Sequence, residues 1–135
     1  MKWFREAKEQ ALVIFSPKVI PYEDPKSFDV RFSANLRELL DFYGIQSIEG
    51  EYISEFEDCK VIIRDAMQRL VNMLKNTFPE YEVIENTSAL PDVWIIVSGM
   101  PDLLAVNEVI KEGTRILNMF TKIIKPQLKK IENKR

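Results

Sequence analysis

Histidine is absent from the 135 residues of the chain, and no other feature of the composition constrains function as much. It is the commonest general base near neutral pH and the commonest metal ligand, so Ser-His and Cys-His nucleophile pairs and histidine-based metal centres are excluded. A single cysteine, Cys59, rules out an internal disulfide and a Cys/His zinc cluster. The four glycines, at 44, 50, 99 and 113, form no spaced run of the kind that cradles phosphate. The longest charge-free run, Val93 to Pro101, is nine residues. A membrane-crossing helix needs about 20. Charges run through the first nine residues and no small-residue cleavage site follows, which argues against a signal peptide. These absences imply no cofactor, point away from an enzyme and favour a reducing, cytoplasmic setting.

What is present is the composition of a globular domain, 46% hydrophobic and 30% charged with a net charge of −2. Its length fits one domain over 1–135, with a basic C-terminal tail at 126–135. The strongest periodic stretch is Ser54 to Thr77. Phe56, Cys59, Ile63, Ala66, Leu70 and Met73 recur at alternating steps of three and four, widened by Ile62, Met67 and Leu74. At about 3.6 residues per turn these share one face, with Arg64, Asp65, Gln68, Asn72 and Lys75 opposite. Ser54 and Glu57 fit a capping box, and Pro79 stops the helix. Cys59, on the buried stripe, reads as a core thiol. Val61 and Val71 lie off the stripe, either as a second packing surface or as surface valines.

Strand signals follow at 81–85 (YEVIE) and 93–97 (VWIIV), joined by the turn-forming link 86–92. The second strand is wholly apolar, which suggests that both faces are covered or that an edge meets another strand. A further helix opens at Pro101–Asp102 and runs through 101–124 on Leu103, Val106, Ile110, Leu117, Phe120 and Ile124. Gly113 falls where an apolar residue is expected, so it either admits a close backbone neighbour or breaks the helix, and Pro126 kinks or restarts it.

Before the central helix the patterns are mixed. Residues 2–15 carry a helical stripe (Trp3, Phe4, Ala7, Ala11, Ile14, Phe15), although 12–15 could equally be a buried strand. Pro17, Pro21 and Pro25 make 16–26 an extended connection. Residues 27–43 fit one helix on Phe28, Phe32, Leu36, Leu39, Leu40 and Tyr43, with only Val30 off its face. The competing strand reading of 27–33 rests on the alternation of Phe28, Val30 and Phe32 with Asp29 and Arg31.

The fold expected is therefore α+β: a small antiparallel sheet holding 81–85 and 93–97, covered by the 55–77 and 101–124 helices, with N-terminal helices packed alongside. The order helix–strand–strand–helix over 55–125 resembles part of a ferredoxin-like split βαβ unit, an arrangement that carries no function of its own.

Charge is segregated. Residues 114–135 hold seven basic side chains against one acid, a net of +6, which leaves −8 on the rest of the chain. Arg115, Lys122, Lys125, Lys129 and Lys130 form a basic helix face. At the other pole, Glu49, Glu51, Glu55, Glu57 and Asp58 crowd five carboxylates into ten residues. They lack the spaced oxygen donors of a calcium loop, and no metal ligands are assigned from them. The leading expectation is a non-enzymatic protein–protein interaction or assembly subunit, self-association included, acting through helical faces and opposed charge. The alternative is an accessory nucleic-acid-binding domain in which the five basic residues neutralise phosphates. No membrane partner is expected.

Overall fold

Alternation along residues 26–35 builds the centre of the sheet. In the computed structural model, which describes residues 13–43, 47–48, 51–52 and 54–133, Phe28, Val30, Phe32 and Ala34 are buried in strand β2 (Lys26–Asn35). The residues between them, Ser27, Asp29, Arg31 and Ser33, point to the opposite face. The single-helix reading of 27–43 is thus corrected. Phe28 and Phe32 share a face in either structure, and Val30, the one residue a helix strands outside, is wholly buried by the strand. Only Arg37–Phe42 (α1) of that stretch is helical.

Residues 16–26 are not a connection. Ser16–Glu23 is strand β1, paired antiparallel with β2 from Ser16↔Ser33 to Glu23↔Lys26 around the turn Asp24–Pro25. Proline cannot donate to a strand ladder. Pro17 and Pro21 sit two steps apart on alternate positions of an edge strand, where the missing N–H faces away from β2. This placement accommodates the prolines and leaves the outer edge short of donors for a further strand.

After a two-residue ladder, β3 (Ser47–Ile48) with β4 (Glu51–Tyr52), comes α2 (Ser54–Thr77), with the bounds read from its periodicity. Cys59, Ile63, Ala66, Met67, Leu70, Val71 and Leu74 are buried, and Ile62 and Met73 are half-buried. Val71 joins the core and Val61 stays on the surface. The side chains of Ser54 and Phe56, and with them the capping box, lie outside the described residues, as do 2–12 of the proposed N-terminal helix. Residues 13–15 are irregular, not helical. Val13 and Phe15 are buried, the Val13 amide donates to Thr121 Oγ1 (2.8 Å), and Phe15 meets Phe120 edge-on at 5.4 Å.

Strands β5 (Glu82–Asn86) and β6 (Asp92–Met100) complete a four-stranded antiparallel sheet in the order β1-β2-β6-β5. Because β2 and β5 are each antiparallel to β6, they run parallel to one another with β6 between them. Helix α2 makes the long crossover that parallel strands require. This is the split βαβ arrangement, with β1 added on the free side of β2.

The expected 101–124 helix is two helices, α3 (Leu103–Leu117) and α4 (Phe120–Asn133). The break falls at Asn118–Met119, where the Met119 amide reaches back only three residues to the Ile116 carbonyl. It falls neither at Gly113 nor at Pro126, which lies exposed within α4. The change of direction lets α3 lie on β2 and β6 while α4 packs along α2. Asp102 caps α3 by accepting from the Ala105 amide (2.8 Å). Leu103 therefore projects into solvent, and the buried stripe begins at Val106.

Gly113 is fixed by packing. A β-carbon there would stand 2.7 Å from Phe32 Cζ, and Phe32 is completely buried. Gly113→Ala is expected to lose about 1–2 kcal/mol in urea unfolding, overpacking outweighing the roughly 1 kcal/mol helix-propensity gain. Adding Phe32→Leu should recover much of that loss, and a strictly additive double mutant would refute the clash.

Candidate functional site

Helices α2 and α3 lie on one face of the sheet, and α4 packs along α2. Phe28, Val30, Phe32, Val83, Val93, Ile95, Val97 and Met100 meet them there in one hydrophobic cluster. The opposite face carries no helix among the described residues. The strand registers lay it out in rows: Ser16, Ser33, Trp94 and Asn86; then Lys18, Arg31, Ile96 and Ile84; then Ile20, Asp29, Ser98 and Glu82, with Tyr22 beside Ser27 at the far end. Strand 93–97, wholly apolar in sequence, is thus paired on both edges but covered by helices on one face alone. Trp94 and Ile96 are left half-buried on the other. Ile84 is 50% exposed and Tyr22 48%.

Two polar arrangements stand on this face. Asp29 is held on both oxygens: the Tyr22 hydroxyl donates to Oδ2 (3.1 Å), and the Gly99 amide, at φ 96°, donates to Oδ1 (3.2 Å). At the opposite end Asn35 Nδ2 donates to Asp92 Oδ1 (2.7 Å), while Asn35 Oδ1 accepts from the Arg37 amide (2.9 Å). Between them lies Arg31, whose Nε is buried without a hydrogen-bond partner. An unsatisfied buried donor costs about 1–3 kcal/mol. Arg31, Ser16, Ser33, Asn35, Asp92 and Trp94 line a groove of about 420 Å³.

The sequence-based candidates lie elsewhere and are dispersed. Lys122, Lys125, Lys129 and Lys130 are on α4, with Lys122, Lys129 and Lys130 exposed and Lys125 half-buried. Arg115 belongs to α3 and is bound within its own helix, its Nε and Nη2 both donating to Glu112 Oε2 (3.0 and 2.9 Å). The break at 118–119 therefore separates Arg115 from the four lysines. Of the five acidic residues, Glu49 and the side chains of Glu51 and Glu55 lie outside the described residues. Glu57 is paired with Lys60 (3.8 Å) and Asp58 is exposed.

Reading 27–43 as one helix takes Asp29 and Arg31 off the sheet, and the apolar run 93–97 does not by itself distinguish two covered faces from an edge that meets another strand. The alternation of 27–35 carried the signal, since it alone puts Asp29, Arg31 and Ser33 on one side.

Burial pushes the Cys59 thiol from 9.0 up to about 12. The unfolded thiol loses its proton first, so this contribution to stability is complete below about pH 9 and declines as pH rises toward 12, by at most about 1.4 kcal/mol per unit. Urea unfolding of Cys59→Ala should lack this component of the alkaline slope, and an identical slope in the variant would refute it. The hydrogen bond to Asp29 and that carboxylate's charge raise the Tyr22 phenol above its ordinary 10.0. Ultraviolet titration of Asp29→Asn should return it toward that value, and an unmoved phenol would disprove the link. No protein family, curated protein or solved structure matches the chain.

Proposed function

We propose that the protein is a non-enzymatic interaction or assembly subunit whose contact surface is the outer face of the sheet. The observation that carries this reading is a four-stranded sheet with one face packed under helices and the other bearing Tyr22, Ile84, Ile96 and Trp94 with no covering layer among the described residues. Aromatic and aliphatic side chains ringed by polar ones are the make-up of a contact patch. The helical stripes are taken up by the protein's own core, so they offer a partner little. Proline-blunted β1 favours contact across the face over strand addition at that edge. No helix among the described residues is long and apolar enough to cross a membrane.

The nucleic-acid alternative draws on the α4 lysines alone, because Arg115 is engaged by Glu112. The two readings separate in one experiment: capture from extracts of the native host, followed by mass measurement and light scattering. Tyr22→Ser/Ile84→Lys should lose a species, or a self-associated state, that wild type and Lys122→Glu/Lys130→Glu both retain. Loss in the lysine variant instead, or a strict monomer that captures nothing, overturns the proposal.

A further inference from the structure

We infer that the groove beside Arg31 is a binding site for a flat organic anion, a carboxylate or phosphate monoester carried on a ring. The inference rests on reading the outer face as the working surface, and it names the chemistry that surface recognises.

Lys18 on β1 stands directly opposite Arg31 on β2, both on the outer face. Like charges in that position repel and weaken the pairing. Among the described residues no ion pair relieves it. Arg31 faces Ile96 on its other side, and no ion pair joins Arg31 or Lys18 to a carboxylate there. Asp29, next along the face, accepts from the Tyr22 hydroxyl and the Gly99 amide and forms no ion pair with either cation. Arg31 Nε is buried with no acceptor, although a guanidinium is built to grip a planar anion through two parallel N–H groups. Nε itself is closed to solvent, so an anion in the groove meets the guanidinium at its terminal N–H groups.

The groove gives the rest of the ligand its shape. Its volume of about 420 Å³ suits a small molecule or one side chain. Trp94 lines it and offers a half-buried indole for stacking, and Ser16 and Ser33, opposite one another in the same row, supply hydroxyl donors. Asp92 lies two cross-strand rows beyond Arg31, about 13 Å along the strand. With Asn35 holding Oδ1, its other oxygen can accept from an N–H or O–H at the ligand's far end. The site is bipolar: the anionic head sits at Arg31, within the field of Lys18, and the ring lies on Trp94.

The chain has two tryptophans, so Trp3→Phe leaves Trp94 as the sole indole reporter. In that background, fluorescence titration with benzoate, phenyl phosphate and inorganic phosphate should give saturable quenching by a ring-bearing anion. The better of the two ring-bearing probes identifies the head group, and inorganic phosphate, lacking the ring, should bind more weakly. Arg31→Met, which keeps the aliphatic stem, should weaken binding at least about tenfold. Lys18→Met, on an exposed edge strand where the fold is not at risk, should weaken it by about threefold and flatten its salt dependence. Failure of both ring-bearing anions to saturate, or equal affinity in Arg31→Met and Lys18→Met, overturns the site. The outer-face reading then stands or falls on its own capture experiment.

Discussion

The Phe32 ring occupies the space that Gly113 leaves by having no side chain, and this contact sets how closely α3 approaches the sheet. Phe32 belongs to the central strand pair, so the spacing established there passes to Val30 and Ala34 along β2 and to Ile95 opposite. With α3 fixed on β2 and β6, the chain must turn before it can also cover α2. It does so at Asn118–Met119, placing Phe120, Ile124, Leu128 and Ile131 in the core beside the α2 stripe. The close approach of α3 to the sheet thus rests on one contact that a close-packed interior cannot respace.

Among the described residues, the helices that meet the sheet lie on one side of it, which leaves the other side to be explained. A central strand as apolar as 93–97 is usually covered on both faces. Here Trp94 and Ile96 rely on neighbours in the sheet itself, and the polar groups among them are unevenly satisfied. Asp29 accepts on both oxygens, while Lys18 stands opposite Arg31, whose buried Nε has no acceptor. A fold selected for stability alone gains nothing from this arrangement. A surface that takes up a partner carrying negative charge gains both affinity and orientation from it.

The fate of the basic C-terminal segment shows how composition and geometry can part. As a run of sequence it concentrates charge, yet the turn at 118–119 puts Arg115 on one helix and the lysines on another, and Glu112 takes the arginine. Charge that looks continuous along a chain is continuous in space only if the helix is.

What the sequence determined by itself was local. The span of α2 follows from its apolar period, the start of α3 from Pro101–Asp102, and the presence of strands near 81–85 and 93–97 from β-branched runs between turn formers. The N–H to C=O bonds and side-chain faces involved lie within a few residues of each other, so a short window holds the information. Only tertiary structure decided that 26–35 is a strand, because Phe28 and Phe32 fit either period and the decision came from pairing with β1 and β6. It alone decided that β1 tolerates two prolines, since that depends on which edge of the strand lacks a neighbour. The candidate site depended on it most. Lys18, Arg31 and Trp94 are brought together by registers between strands as much as 76 residues apart in sequence, a relation that no periodicity within a segment encodes.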